Sequence, residues 1–181
     1  CKYVLVVGGD CLSKSVDWSD RSICVLFGDG AGAVVLGPTE NHDVGILRSS
    51  LFSNGGEADI LITKGGGSRH PFDVAMLEDK SHFIYMNGKS VFKVAVNTVV
   101  PAILEVIREA GFQVSDVDLL VAHQANSRIL EVMREKLGLK PEQVPMNLDR
   151  YGNTSAGTIP ILLQELHEEG RLKPGMLIVT V

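Results

Sequence analysis

Residues 118–126 read Asp-Leu-Leu-Val-Ala-His-Gln-Ala-Asn, the most informative run of the chain for its architecture. A short, continuous apolar run predicts a strand buried inside a sheet that helices cover. His123 stands where this strand ends. Asn126 is a suitable N-cap for a helix that runs to about Leu137 and closes at Gly138. Strand, polar loop and helix in this order indicate an α/β architecture.

The sequence on both sides of this stretch continues the alternation. Upstream, apolar residues recur at helical spacing over residues 90–110 and nearly surround the predicted helix, which predicts burial on several sides. Pro101 should kink or split that helix. Downstream, the pattern predicts a strand over residues 144–148, a helix over residues 155–169 that stops at Gly170, and a last strand over residues 177–181.

The first 70 residues alternate β-rich runs with glycine. Residues 3–9 are predicted to form a strand, and residues 23–28 and 32–37 are predicted to form a hairpin across the turn Gly28-Asp29-Gly30. Residues 44–52 are a further strand candidate. The glycine clusters do not fit a phosphate-binding loop, because Gly28-x-Gly30-x-Gly32 leads into a strand and not into a helix.

The composition limits the classes of protein. The chain has 181 residues, of which 45% are hydrophobic, and can bury the core of one domain or two small ones. Its net charge of −5 argues against nucleic acid as the main partner. Apolar stretches such as residues 24–27 are too short to span a bilayer. We therefore expect a cytoplasmic or organelle-stroma protein, cytoplasmic in the first place, with neither nucleic acid nor membrane as a partner.

Cysteine and the isolated histidines give no sign of a metal site. Cys1, Cys11 and Cys24 have no spacing typical of metal ligands or of a disulfide framework, and we expect them to be small buried hydrophobic residues. Four histidines in polar surroundings are predicted to lie at the surface: His42, His70, His82 and His167.

Two short motifs carry the chemistry. His123 opens His-Gln-Ala-Asn, and Asn153 lies in Gly-Asn-Thr-Ser-Ala, thirty positions later. A histidine at a strand end can exchange protons or hydrogen bonds near neutral pH, and an asparagine amide can stabilise a developing oxyanion without adding charge. Each residue also has a plain structural explanation, as a satisfied histidine or as a helix cap.

The pair of motifs resembles the signature of β-ketoacyl-acyl-carrier-protein synthase III within the thiolase-like superfamily. Elongating condensing enzymes carry a second histidine where this sequence has Asn153. Shorter matches to the family run along the whole chain: residues 27–33, 65–69, 86–94, 148–150 and 173–175. The resemblance implies an α/β, thiolase-like layered fold (α-β-α-β-α). Residues 1–52 would complete its first half, and residues 53–181 would form most of its second half.

The resemblance also implies an activity. In this family a cysteine takes an acyl group from acyl-CoA, and malonyl-acyl carrier protein loses carbon dioxide to give the carbanion that attacks the thioester. His123 and Asn153 match the residues held to stabilise the enolate oxygen. The family implies no metal, no redox cofactor and a homodimer, and the partners would be acyl-CoA and malonyl-acyl carrier protein.

Binding residues follow from the same resemblance. The segment that would meet the carrier protein comprises Gln124, Ala125, Asn126, Ser127 and Arg128, with Lys93 as a weaker candidate. The coenzyme A and acyl pocket would include Arg21, Gly88, Phe92 and Asn126. For Arg21, Lys93 and Arg128 the alternative is an ordinary solvated surface charge.

No stretch of this sequence matches the family's nucleophile segment. The three cysteines lie in other surroundings, so we expect this chain to be a fragment of a protein about twice as long. The fragment alone would be inactive. Two alternatives stay open. One is a secondary-metabolism relative with another primer or acceptor, and the other is a non-catalytic fragment with a structural or dimerisation role.

Overall fold

A computed structural model describes residues 1–41 and 43–181. The predicted surface position of His42 therefore lies outside the described residues. His70 and His167 are exposed, as predicted. His82 is half-buried, because its Nδ1 lies 2.8 Å from the Met76 carbonyl and its ring stacks against a neighbour, so the prediction for His82 was wrong.

The strands of the described residues form three pairs. Their bounds are β1 Val4–Cys11, β2 Asp29–Leu36, β3 Leu61–Ile62, β4 Tyr85–Met86, β5 Leu119–Val121 and β6 Ile178–Thr180. The first two pairs, β1 with β2 and β3 with β4, are antiparallel. The pair of β5 and β6 is parallel, as expected for strands joined through helices.

Five α-helices accompany these strands. Their bounds are α1 Met76–Asp79, α2 Gly88–Glu109, α3 Ser127–Leu137, α4 Leu148–Tyr151 and α5 Thr158–Glu168. The predicted caps of α3 are confirmed: Asn126 Oδ1 accepts from Arg128 N–H at 2.9 Å, and Gly138 ends the helix with φ +68°. Gly170 adopts φ +67° just beyond α5.

The main core lies between α2, α3 and the buried strand β5. Leu120 and Val121 are fully buried, which confirms the predicted central strand. Leu120 belongs to the cluster that packs between α2 and α3, whereas Val121 packs against Leu162 and Leu166 of α5. Because successive strand residues point to opposite faces, β5 joins two apolar layers.

The N-terminal hairpin forms with a different partner than predicted. β2 pairs with β1, so that Val4 lies opposite Leu36 and Cys11 lies opposite Asp29. Residues 23–28 were predicted to be the partner strand, and this prediction was wrong. They follow a series of turns that starts at Asp20, whose carboxylate accepts from Ser22 N–H at 2.8 Å.

The cysteine environments also differ from the prediction. Cys1 and Cys11 are exposed, and Cys24 is half-buried in a turn. Cys11 lies at the exposed end of β1, where its thiol contacts Asp29 Oδ2 at 3.2 Å. The expectation of three small buried hydrophobic residues was therefore wrong.

Two further predicted strands are absent from the described residues. Residues 44–52 contain no strand, and Leu51 is 98% exposed. This segment contacts α2 through a side chain instead, where Arg48 Nε donates to the Glu109 carbonyl at 3.2 Å. Residues 144–148 form no strand either. The side-chain amide of Gln124 is hydrogen-bonded to the Pro145 carbonyl and the Asn147 N–H, backbone groups that a strand would use.

Helix α2 continues through Pro101 without a break, so the predicted split does not occur. Its buried residues form one stripe, namely Val96, Val100, Ile103 and Ile107. Burial on several sides was therefore a wrong prediction. By length and composition α2 could also cross a membrane, contrary to the sequence expectation, but a single helix of this kind is weak evidence because core helices share that composition.

Close backbone contacts join the hairpin to the segment before α5. A Cβ atom on Gly8 would lie 2.0 Å from the Ala156 carbonyl oxygen, and one on Gly30 would lie 2.9 Å from Thr154 Cγ2. Only glycine allows such an approach. The hairpin thus packs against the loop that carries Asn153. The division into residues 1–52 and 53–181 stays a prediction.

Candidate active site

His123 is held directly after β5. Its backbone N–H donates to the Val181 carbonyl at 2.6 Å, which extends the contact between β5 and β6, and its own carbonyl accepts from Ala125 N–H at 2.9 Å. Asn126 then begins α3 as its N-cap. A buried strand on one side and a capped helix on the other leave the histidine backbone little freedom.

Asn153 is held by an equally restrained loop. Gly152 has φ +65° and ψ −159°, a region that is essentially restricted to glycine. Asn153 N–H donates to the Leu26 carbonyl at 2.8 Å, and Gly28 N–H donates to the Asn153 carbonyl at 2.9 Å. These bonds form a parallel bridge between Phe27 and Asn153. The asparagine backbone is therefore attached to the N-terminal region.

The Asn153 side chain has a defined orientation. Its Oδ1 accepts from Ser155 N–H at 2.9 Å. Ser155 adopts φ +49°, an uncommon left-handed conformation for a residue with a side chain. Because the oxygen is engaged, the amide NH₂ group is the part of the side chain left for a ligand. Within the described residues, no hydrogen-bond acceptor contacts that nitrogen.

His123 and Asn153 stand at the junction of two cavities. The larger is a cleft of about 880 Å³, and the smaller has a volume of about 310 Å³. Both residues line both cavities, together with Phe27. The cleft is mainly apolar, with walls from α2 and α3. A half-buried histidine and a half-buried asparagine amide therefore both line a mainly apolar cleft.

Burial lowers the pKa of His123 below its ordinary value of 6.5. The imidazole is consequently neutral at pH 7, and it can donate one hydrogen bond and accept another. A neutral imidazole N–H and an amide NH₂ at one junction can stabilise a negatively charged oxygen. Electrostatic stabilisation of this type is strongest where water is excluded.

Most of the predicted binding residues line the cleft. The cleft walls include Gly88, Phe92, Ala125, Asn126 and Arg128. Of these, Gly88 and Phe92 belong to α2, and Arg128 is exposed in the first turn of α3. The structure brings these five residues to one cavity, and their binding roles stay predictions.

Four other predicted binding residues lie elsewhere. Gln124 is fully buried and donates to the carbonyls of Ala122 and Pro145, so its side chain cannot contact a carrier protein, and that prediction was wrong. The other three residues are exposed but do not line the cleft: Arg21, Lys93 and Ser127.

Sequence reasoning missed part of the cleft wall. Ala95 and Val99 of α2 face the cleft, and so do Ile129 and Met133 of α3. The helical spacing of Ala95 and Val99 was interpreted as burial, whereas Ile129 and Met133 are buried residues that also border the cleft. Lys89 also lines the cleft, at the start of α2. Only the packing of the two helices shows which apolar residues face a cavity.

The cavities contain no cysteine from the part of the chain that the structure describes. Across residues 1–41 and 43–181, no group of three or more His, Cys, Asp or Glu side chains could hold a metal ion. The polar side chains that line both cavities are those of His123 and Asn153, and the smaller cavity is also lined by Thr63 and Ser155.

Comparison with protein families gives two matches. The family described as 3-Oxoacyl-[acyl-carrier-protein (ACP)] synthase III matches residues 1–55. The family described as 3-Oxoacyl-[acyl-carrier-protein (ACP)] synthase III C terminal matches residues 107–181, which include His123 and Asn153.

Individual relatives agree with these matches. The β-ketoacyl-[acyl-carrier-protein] synthase III of Symbiobacterium thermophilum is 49% identical over 98% of this chain and 53% of its own length. The β-ketoacyl-[acyl-carrier-protein] synthase III structure from Thermus thermophilus is 42% identical, with a TM-score of 0.89 over 99% of this chain and 54% of that chain. The chain therefore spans about half the length of these relatives.

A third solved structure that resembles this chain comes from a polyketide pathway. The priming β-ketosynthase from the R1128 polyketide biosynthetic pathway is 32% identical, with a TM-score of 0.82 over 99% of this chain and 52% of that chain. The comparisons agree with the α/β, thiolase-like fold expected from the sequence.

Proposed function

This chain belongs to the 3-oxoacyl-[acyl-carrier-protein] synthase III family, and from that premise we propose that it supplies the decarboxylation site of a condensing acyltransferase. In the proposed reaction an acyl-CoA primer, acetyl-CoA in the simplest case, and malonyl-acyl carrier protein give 3-oxoacyl-acyl carrier protein, coenzyme A and carbon dioxide. This reaction would start fatty-acid synthesis.

One observation carries the proposal, namely that a neutral His123 and an oriented Asn153 amide meet at one cavity junction. Loss of carbon dioxide from a malonyl thioester leaves an electron pair on the α-carbon and negative charge on the thioester oxygen. The imidazole N–H and the amide NH₂ would donate hydrogen bonds to that oxygen. Because both groups are uncharged, they would favour the enolate over a carboxylate bound in the ground state.

The acyl-transfer step needs a thiolate, and the cleft residues of the described chain include none. We therefore assign only the decarboxylation residues to this chain and propose that the chain alone accepts no acyl group. The acyl chain would pass to a cysteine sulfur with release of coenzyme A. The carbanion would then attack the thioester carbonyl and release that sulfur.

The cleft fits an extended thioester arm. Phe92 and Gly88 would contact the arm from α2, and Asn126 would contact it from α3. Arg128, with Ala125 and Ser127, would meet the acidic carrier protein at the mouth. Lys89, which lines the cleft, is better placed for that contact than Lys93. An adenine contact at Arg21 remains a prediction.

The first test is the replacement Asn153→Asp in protein expressed from its complete gene. The change keeps the shape of the side chain but puts a carboxylate where the amide donors were. We expect malonyl decarboxylation to fall by roughly 10²–10³-fold, the usual effect of losing an oxyanion donor. Acyl transfer from acetyl-CoA, followed by intact mass, should change much less.

The matched control is Asn54→Asp. Asn54 is exposed and accepts a hydrogen bond from Gly56 N–H at 3.1 Å, which a carboxylate can also do. This variant should keep both half-reactions. An equal loss of decarboxylation and acyl transfer in Asn153→Asp would contradict the assignment of Asn153.

The similarity to a polyketide priming synthase supports a second candidate, a synthase with another primer or acceptor. Activity measured against acetyl-CoA and longer or branched acyl-CoA primers separates the two. A preference for acetyl-CoA favours the initiator of fatty-acid synthesis. The homodimer and the cytoplasmic location that the resemblance implies are part of the same proposal. A non-catalytic role would leave decarboxylation undetectable in every form of the protein.

A further inference from the structure

A carboxylate outside the cleft connects the two loops of the site. Glu165 lies on α5, and its side chain is only 14% exposed. Its Oε2 accepts a hydrogen bond from Asn147 Nδ2 at 2.7 Å, and its Oε1 accepts one from the Tyr151 hydroxyl at 2.8 Å. The Arg150 guanidinium approaches the same carboxylate at 2.7 and 3.1 Å.

In one direction this network reaches the residue next to His123. Asn147 is buried, and its backbone N–H donates to Gln124 Oε1 at 3.0 Å. Gln124 Nε2 donates to the carbonyls of Ala122 at 3.0 Å and Pro145 at 3.3 Å. The buried glutamine thus ties the backbone around His123 to the segment that holds Asn147.

In the other direction the network reaches the loop of Asn153. Tyr151 ends the short helix α4, and Gly152 N–H donates to the Leu148 carbonyl at 2.9 Å. Only Gly152 separates Tyr151 from Asn153. A hydrogen bond between the Tyr151 hydroxyl and Glu165 therefore restrains the helical turn from which the Asn153 loop departs.

The chemistry of this junction requires an acceptor without protons. Donors from Asn147, Arg150 and Tyr151 converge on the two oxygens of Glu165. An ionised carboxylate has about four lone-pair positions and can satisfy all of them. A glutamine in its place would direct an N–H toward one of these donors. The partly buried arrangement would then contain an unsatisfied polar group.

We propose that Glu165 is a positioning residue that fixes the separation of His123 and Asn153 by anchoring both loops to α5. The proposal rests on the proposed function, because it is the stabilisation of an enolate oxygen that needs both donors at one point. Glu165 itself lines neither cavity and would touch no substrate.

The test compares Glu165→Gln with Glu168→Gln in the isotope-labelled chain. Glu168 lies on the same helix, is exposed, and accepts a hydrogen bond from Gln164 at 2.8 Å. NMR spectroscopy would measure the pKa of the His123 ring and the exchange rate of the Asn153 side-chain amide. A general loss of stability would leave the pKa of the folded state unchanged.

We expect Glu165→Gln to raise the pKa of His123 toward 6.5, since a loosened loop admits water to the ring. Exchange of the Asn153 amide should become roughly tenfold faster. Glu168→Gln should change neither quantity. The proposal would be overturned if Glu165→Gln folds and both quantities are unchanged. It would also be overturned if Glu168→Gln produces the same changes.

A second variant covers the case in which Glu165→Gln does not fold. Tyr151→Phe removes one donor and leaves the bonds from Asn147 and Arg150 in place. It should raise the exchange rate of the Asn153 side-chain amide and leave the His123 pKa unchanged. An unchanged exchange rate would overturn the proposal. These measurements need no turnover. A chain without decarboxylation would therefore count against the proposed function and not against the positioning role.

Discussion

At the scale of single residues, the state of His123 depends on burial alone. Neither ring nitrogen has a protein partner within the described residues, and desolvation lowers the pKa of the ring below its ordinary value. An imidazole paired with a carboxylate would instead become easier to protonate. The absence of such a partner near His123 in the described chain suits a group that must remain neutral while it donates a hydrogen bond.

This state predicts how stability depends on pH. Because the pKa of His123 is lowered in the folded chain, the unfolded chain binds the proton first as the pH falls below 6.5. The free energy of unfolding should therefore decrease between pH 7 and about pH 5. Urea unfolding at several pH values measures this slope. His123→Asn should flatten it, and an unchanged slope in that variant would contradict the buried neutral histidine.

The Glu165 carboxylate affects stability at lower pH than His123 does. Burial raises the pKa of this carboxyl, but hydrogen bonds from Asn147 and Tyr151 and the charge of Arg150 outweigh burial and hold the pKa below its ordinary value of 4.5. Its stabilising contribution is present above that value and is lost as the pH falls further. The two groups can therefore be separated by titration.

At the scale of elements, the contact between the hairpin region and the Asn153 loop decides the geometry of the site. Gly28 faces the loop so closely that a Cβ atom would lie 1.9 Å from the Tyr151 carbonyl oxygen. Gly28 N–H also donates to the Asn153 carbonyl. Gly28, which is distant in sequence, thus fixes the position of the Asn153 backbone at the cavity junction.

We expect Gly28→Ala to displace the Asn153 loop and to lower the free energy of unfolding by about 1–3 kcal/mol, the usual cost of overpacking. Gly67→Ala is the matched control, because nothing lies within 4 Å of a Cβ atom there. Chemical denaturation measures stability, and the Asn153 amide resonance reports the displacement. Equal stability of the two variants would mean that the close contact is absent in solution.

At the scale of the whole molecule, the hairpin exposes an apolar surface. Leu5 and Val35 lie opposite each other in β1 and β2, and they are 64% and 67% exposed. Val7, two residues further along β1, extends the same face and is 64% exposed. Exposed apolar patches of this kind favour association.

We therefore expect the 181-residue chain to self-associate through this face. Leu5→Lys should weaken self-association by roughly tenfold or more, because a charge would be buried in the contact. Sedimentation velocity measures the change. Leu77→Lys is the control, since Leu77 is an exposed leucine on α1. Similar association of wild type and Leu5→Lys would exclude the hairpin face.

Elements whose signals are local could be predicted from the amino-acid sequence. The apolar run of β5, the Asn126 and Gly138 caps of α3 and the glycine after α5 were all predicted correctly, because each depends on neighbouring residues. His123 and Asn153 were found by their motifs, and the structure brings both to one junction.

Contacts between residues far apart in the sequence could not be predicted and become apparent only in the folded chain. The tertiary structure gave β2 the partner β1, buried Gln124 against residues 145–147, and turned one side of α2 toward a cleft. The physical reason is that a buried amide or an apolar helix face has the same local sequence whether it meets a core, a cavity or a partner. The choice depends on the free energy of contacts that form only when the chain has folded.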